Sequence, residues 1–335
     1  MLSTRFHVCQ CYFTSNLFIK KYNQHITYIN KEQFLLDYTE ILKSKGCIDP
    51  TAVIPELETE ILRRKKFHQD SWERRMKIAK EYKPLNPHIF TLQKGYLDPK
   101  FVELVKYASD PNATYEDLVK EIRCYQERIY TFPVFTKEFC NLLVNEIINF
   151  EESPLPKGRP NTMNRYGVSL GELGFDKFLT ELRNVYITPL TRILYPDWGG
   201  ASLDSNKAFI VKYEEDKDTD LDSHFDNAEI TLNVPLNDNY LDGELYFGPM
   251  RTEESSRVTG IGHQMGIGLL HLGQQIHGAL PISEGVRYNL ILWMRSSQVR
   301  NQLCPMCDKK PTLVPVENGF GDGFTITEAD VCSVT

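Results

Sequence analysis

Apolar residues recur at three- and four-residue spacing in the N-terminal third of the chain and at alternating spacing in the second half, and that change of period divides it. Between Lys31 and Lys45, the residues Phe34, Leu35, Tyr38, Ile41 and Leu42 share one helical face, and Gly46 supplies the stop. A second helical run, about 56–82, carries Leu57, Ile61, Leu62, Phe67, Met76 and Ile78 and ends before Pro84. Residues 1–30 scatter Phe13, Leu17, Ile19, Tyr22 and Ile26 among polar neighbours and are expected to be extended. Pro84, Pro87, Pro99 and Pro111 predict loops around one short helix near 99–108.

From Arg128 the character changes. The stretch RIYTFPVFT (128–136) reads as a strand whose last residue, Thr136, caps a helix that buries Phe139, Leu143, Ile147 and Phe150. PLPKGRPNTMNRYG (154–167) is a polar, basic, Pro- and Gly-rich loop, either a plain surface connection or a lid facing a substrate. After a helix near 176–194, short β-type runs dominate: AFIVKY, ITLNVPL, GELYFG, GIGLLHL and RYNLILWM. The pattern predicts an α+β protein: a mainly helical region over 1–125, a β-rich domain of sandwich or barrel type over 126–300, and a cysteine-containing tail over 301–335.

An apolar content of 41% with 25% charged residues is that of an ordinary globular protein. A net charge of −7 disfavours a general nucleic-acid binder, because neutralising phosphates calls for a basic balance. The cluster Arg63-Arg64-Lys65-Lys66 reads first as a solvated helix face, with an RNA contact or nuclear signal as the lesser alternative. No apolar run reaches the ~18 residues of a membrane span. Arg5, His7 and Gln10 interrupt any secretory core, although the absence of acids before Glu32 leaves a transit peptide as a minor alternative. Eight cysteines in 335 residues are too sparse for a disulfide scaffold, so reduced thiols in an intracellular compartment, cytoplasm or nucleus, are expected.

The chemistry concentrates in DSHFDN (222–227). In a strand, His224 and Asp226 project from the same face and offer one nitrogen and one oxygen to a single ion. His277 follows 51 residues after Asp226, where a new short strand should begin after Gly273. Two histidines and a carboxylate on one side of an ion form the facial triad of non-haem Fe(II) oxygenases, which leaves coordination positions open. Arg287, ten residues past His277, starts a strand whose alternate positions Asn289, Ile291 and Trp293 share its face. A guanidinium in a β-core calls for an anion, best a carboxylate held bidentately. Tyr213 can hydrogen-bond the same anion or be an ordinary strand aromatic. His263 and His271 are rival metal ligands, but His277 is preferred because Arg287 follows it at a turn's distance.

HFDNAEITLNVPLNDNYLDGELYFG, joined to HGALPISEGVRYNL, resembles the 2-oxoglutarate- and Fe(II)-dependent dioxygenases, in particular the prolyl and lysyl hydroxylase branch. The upstream YTFPVFTKEFC is similar to the entry strand and helix of the lysyl hydroxylase catalytic domain, and the motif core spans about 205–298. The resemblance implies a double-stranded β-helix with His224, Asp226 and His277 on iron and Arg287 on the distal carboxylate of 2-oxoglutarate. It further implies Tyr213 as a helper, with Thr231 and Asn233 lining the cosubstrate pocket or packing within the strand. The implied activity couples decarboxylation of 2-oxoglutarate to succinate with hydroxylation by O2 of a substrate, a lysine or proline side chain of a protein ahead of a nucleic-acid base. Ascorbate is implied as the reductant that restores the iron. The alternative is a catalytically weak scaffold that keeps the fold, or a cupin-type metalloenzyme in which Arg287 would lack an anion.

Cys304-Pro305-Met306-Cys307 and Cys9-Gln10-Cys11 remain outside that scheme. Together they offer four thiols to a structural zinc if the two ends of the chain meet, with free or partly buried thiols as the alternative.

Overall fold

A computed structural model describes residues 6–251, 253, 259–316 and 321–325; Cys332, counted above among the reduced thiols, lies outside them. The chain divides into two compact units, one formed by 1–72 with 301–335 and the other by 73–300. The expected boundary at 125/126 is therefore not where the units part. Residues 73–125 supply Ile78, Ile89, Leu104, Leu118 and Ile122 to the large core of the second unit, so they pack as part of it.

In the first unit, strand β1 (Phe6–Cys9) pairs antiparallel with the last described strand, Leu313–Val316. A short helix α1 (Cys11–Thr14), the hairpin β2 (Leu17–Ile19) and β3 (Gln24–Ile26), and helix α2 (Lys31–Ser44) follow. Asn30 caps α2 by accepting from Gln33 N at 2.8 Å, and the Gln33 side chain accepts in turn from Ile29 N. The predicted stop works through its φ of +86°: Gly46 N reaches Lys43 O and Cys47 N reaches Leu42 O, the paired bonds of a Schellman end. Helix α3 (Ile54–Glu81) contributes its first turns to this unit, where Leu57 joins Leu17, Ile19, Ile26, Phe34 and Leu42 in a core. The basic cluster is not simply solvated: the Arg64 guanidinium donates to the carbonyls of Tyr12, Ser15 and Asn16 and pairs with Glu60.

The second unit holds two antiparallel sheets, with helices packed against the larger one. Helices α4 (Pro99–Ala108), α5 (Tyr115–Glu121) and α6 (Lys137–Glu152) precede most of the strands, and Thr136 caps α6 by accepting from Phe139 N. Three shorter helices follow, α7 (Leu170–Leu173), α8 (Asp176–Glu181) and α9 (Thr188–Leu194). The predicted helix over 176–194 is thus interrupted, and the wider π-type turns of Leu182–Ile187 bridge the gap. Pro189 has no N–H to continue a regular ladder, which accounts for the break.

The strands are β4 (Arg123–Gln126), β5 (Ile129–Pro133), β6 (Gly167–Ser169), β7 (Ser205–Glu214), β8 (Leu221–His224), β9 (Ile230–Pro235), β10 (Tyr240–Asp242), β11 (Leu245–Met250), β12 (Thr259–Ile261), β13 (Ile267–Leu272), β14 (Gln275–Ala279) and β15 (Ile282–Arg295). The larger sheet runs β4-β5-β13-β9-β15-β7-β6, with β10 also on β15; the smaller runs β12-β11-β14-β8. Neighbours far apart in sequence lie side by side, as the double-stranded β-helix (jelly-roll) arrangement of this α+β protein requires. β15 shows the two faces. Tyr288, Leu290, Leu292 and Met294 point into the helix-covered core, while Ile291 and Trp293 join Phe209, Val211, Leu245 and Phe247 in a second core shared by strands of both sheets.

Glu146 fixes the path of the chain after α3. Fully buried on α6, it accepts from Tyr82 Oη at 2.6 Å, Leu85 N at 3.1 Å and Asn86 N at 2.6 Å. Glu146→Ala leaves those donors without their acceptor and is expected to lower unfolding stability by about 2–3 kcal/mol, readable from a urea midpoint at unchanged slope. A midpoint equal to the wild type would show that water replaces the carboxylate.

Candidate active site

The antiparallel register of β8 and β14 sets His224 directly opposite His277. The pairing slips just beyond them, with Ala279 opposite Leu221, so β8 carries an extra residue in a bulge. Gly278 is needed there, because a Cβ would lie 2.3 Å from Tyr246 Oη and 2.6 Å from Leu221 O. Asp226 falls just past the end of β8 rather than within a strand. Its N–H donates to Gly273 O at 2.9 Å, and its carbonyl accepts from Gln274 Nε2 at 3.0 Å. Gly273 in turn sits so close to Ala228 that a Cβ would meet its carbonyl oxygen at 2.2 Å. The segment that carries Asp226 is thereby tied to the turn leading into β14.

His224 Nε2 lies 3.6 Å from Asp226 Oδ1 and His277 Nε2 lies 3.4 Å from Oδ2; one donor atom of each residue falls within 4.8 Å of the others. Nδ1 of His224 is 2.8 Å from Asp222 O, and Nδ1 of His277 is 2.8 Å from Gln275 O. A proton on each Nδ1 satisfies those carbonyls and leaves each Nε2 lone pair free toward the common centre. Asp226 Oδ2 accepts from Thr231 Oγ1 at 2.6 Å. When the imidazoles carry a proton on Nε2 as well, the attraction of His277 and the bonds from both histidines outweigh burial and hold the Asp226 carboxyl well below its usual range. The donor set of two oriented imidazoles and one carboxylate fits a divalent iron ion.

The rival histidines stand outside the triad. His271, on β13, is buried with Nε2 4.0 Å from Asp226 Oδ2 and its ring 4.4 Å from that of His277. Burial, then the neighbouring His277, push its pKa down to about 3, so it is a neutral side chain lining the same cavity, outside the three-residue donor group. His263 lies beside Asn289, with Nδ1 3.5 Å from that amide nitrogen.

Arg287 is 1% exposed on β15, opposite Tyr213 on β7. Its Nε donates to Asn289 Oδ1 at 2.9 Å and its Nη1 to Gly243 O at 2.5 Å, while the rings of Tyr213 and Tyr240 flank it at 5.5 Å. Among the described residues no carboxylate pairs with it. A buried guanidinium without a counter-ion is costly, and an anionic ligand resolves the cost. Asn289 also donates to Asn233 Oδ1 at 2.6 Å, so Asn233 helps to orient the residue that orients Arg287.

These groups line one cleft between strands of the two sheets. Tyr213, Thr231, Asn233 and Arg287 all reach it, as do the three triad residues. Besides reaching the cleft, Thr231 donates its hydroxyl to Asp226 Oδ2. The loop 154–167 contributes Asn161, Met163 and Asn164, and Asn164 Nδ2 donates to Tyr213 Oη at 3.4 Å. Asn289, Asn164 and Trp293 carried no assigned role in the sequence. Trp293 also lines the cleft, and its buried Nε1 has no partner among the described residues. The available signal for Asn289 and Trp293 was the polar group they bring into an otherwise apolar strand; nothing local marks Asn164.

An OGFOD2-like domain model matches residues 78–200. Over 98% of this chain and 97% of its own length, the 2-oxoglutarate and iron-dependent oxygenase domain-containing protein 2 of Xenopus tropicalis is 47% identical; that of Homo sapiens is 44% identical at the same coverage. The human procollagen-lysine,2-oxoglutarate 5-dioxygenase 1 is 30% identical over 48% of this chain and 23% of its own length. A Trichoplax adhaerens prolyl hydroxylase in complex with a hypoxia inducible factor peptide fragment is similar in structure, at 14% identity over 62% of this chain and 96% of that one, with a TM-score of 0.42. The class is that of the 2-oxoglutarate-dependent oxygenases, which are oxidoreductases. Within that class, the chain belongs to the family of 2-oxoglutarate and iron-dependent oxygenase domain-containing protein 2.

The Thr231 hydroxyl orients Asp226, so Thr231→Val is expected to weaken Fe(II) binding roughly 10- to 100-fold in an anaerobic titration. Unchanged affinity would show that the carboxylate keeps its position unaided.

Proposed function

We propose that this oxygenase hydroxylates a protein side chain, lysine or proline, with Fe(II) held by His224, Asp226 and His277 and 2-oxoglutarate anchored by Arg287. The observation that carries the reading is the buried, carboxylate-free Arg287 lining the same cleft as two oriented imidazoles and a carboxylate. Iron in this ligand set supplies the oxidative decarboxylation of 2-oxoglutarate to succinate and the hydroxylation of a substrate C–H bond by O2. The chain's own residues do the positioning. Arg287 receives the distal carboxylate of the cosubstrate, with the Tyr213 hydroxyl as a second donor and the Asn289–Asn233 pair holding the guanidinium in place. Ile291, Phe209, Val211 and Leu245 keep the cleft walls apolar, which limits water near the reacting groups. Trp293 offers an N–H to an oxygen bound farther along β15 from Arg287.

A lysine substrate is supported by the similarity to a procollagen-lysine dioxygenase. Ascorbate is the proposed reductant for iron oxidised in turnovers without substrate. The described cysteines are all unbridged, which supports an intracellular site of action, cytoplasmic or nuclear. Among the described residues no helix is long and apolar enough to cross a membrane.

Succinate release from 2-oxoglutarate with Fe(II), O2 and ascorbate tests the reading. His224→Ala and Asp226→Ala are expected to abolish it, and succinate formed at the wild-type rate by either variant would sink the proposal. Arg287→Ala is expected to raise KM for 2-oxoglutarate roughly 10- to 100-fold, the loss of a charge-assisted contact. Proteomic comparison of hydroxylated lysines and prolines, with and without the protein, tests the substrate class; no site lost on its removal would reject it.

A further inference from the structure

The two cysteine pairs lie near opposite ends of the chain, and the first unit brings them together. Cys9 closes β1 opposite Leu313, and Cys11 opens α1. Between them, Gln10 N donates to Thr312 O at 2.8 Å, which seats the Cys-x-Cys segment against the last strand. The other pair occupies a tight turn. Asp308 N donates to Cys304 O at 2.9 Å, Cys304 N donates to Lys309 O at 2.8 Å, and Asp308 takes a φ of +55°. The turn points Cys304 and Cys307 the same way.

The sulfur geometry is informative. Cys9 and Cys307 Sγ are 4.0 Å apart, Cys11 and Cys304 Sγ are 3.7 Å apart, and all four lie within 4.8 Å of one another. A disulfide needs about 2.05 Å, and none is formed. A tetrahedral ion with bonds of about 2.3 Å to sulfur sets its ligands about 3.8 Å apart, close to both paired distances.

Packing supplies a second, independent argument. The buried cluster at this end is Cys9, Cys304 and Phe324, with Cys11, Met306, Cys307 and Leu313 against it. It is separate from the larger core built around Phe34 and Leu42. Cysteine thus makes up most of a cluster that must hold together segments 298 residues apart in sequence. Among the described residues the apolar members of that cluster are few, the situation in which a bound metal adds folding free energy.

We propose that Cys9, Cys11, Cys304 and Cys307 bind one zinc ion that fastens the two ends of the chain together. The ion replaces the four thiol protons, which leave to solvent, and no electron transfer is involved. With four protein sulfurs no coordination position remains open, so the site is structural and takes no part in the oxygenase reaction.

Metal analysis of the full-length Asp226→Ala protein tests this, because that background removes a ligand of the other metal-binding group. One zinc per chain is expected after exhaustive dialysis, and Cys304→Ser and Cys307→Ser in the same background should each lose it. Cysteine variants can fail to fold, so the second measurement uses unaltered cysteines. Replacing zinc with Co(II) should give the intense visible bands and sulfur charge-transfer absorption of a tetrahedral tetrathiolate. Protein purified without zinc that takes up no Co(II) would overturn the proposal. So would iron in zinc's place, or a mass lower by the hydrogens lost in a Cys9–Cys307 or Cys11–Cys304 disulfide.

Discussion

The pairing of β8 with β14 is the constraint on which the candidate site depends. It places His224 and His277 face to face across two strands that are adjacent only because the sheet is built from distant parts of the chain. The bulge beside them adds local twist to β8 just before the chain turns to Asp226. From there Asp226 is held by Gly273 and Gln274, residues on the approach to β14 itself. Both histidines spend Nδ1 on carbonyls of their own strands, so backbone geometry alone aims Nε2 inward. Few side-chain choices are left to fix the triad, and Thr231 makes one of them.

A second polar chain runs along β15, from Arg287 through Asn289 to Asn233 on β9. Its members are buried, and burial of this much polar surface is tolerable only when each group finds a partner. Asn289 does so by accepting from Arg287 and donating to Asn233. Arg287 is left with charge to spare, and the flanking Tyr213 and Tyr240 rings offset only part of the lost hydration. The hydrophobic alternation of the same strand serves both ends. One face joins the helix-covered core, and the other walls the cleft.

Much of this was legible in the residues. The helices over 31–44 and 99–108, the Thr136 cap and the strand character after Arg128 follow from periodicity and capping chemistry that act locally. The break within 176–194 was less legible, since a single Pro189 can either end a helix or be absorbed by wider turns. His224, Asp226, His277 and Arg287 could be picked out because a charged or ligating group in a β-rich stretch needs a partner to justify its burial. His263 and His271 carried the same local signal. Only their distances separate them, with His271 Nε2 4.0 Å from the carboxylate and His263 beside Asn289.

The sequence by itself determined much of the secondary structure, the two faces of β15 and a short roster of groups able to bind a metal and an anion. These depend on residue type, short-range spacing and the period of each element. The tertiary structure alone decided which of those groups meet. Strand register set His224 against His277, the Gly273 approach placed Asp226, and the packing of residues 73–125 moved the unit boundary upstream. The meeting of Cys9 and Cys11 with Cys304 and Cys307 is of the same kind. The physical reason is that register, sheet order and the joining of distant segments are set by the simultaneous burial of many side chains, and no local window of the chain contains that sum.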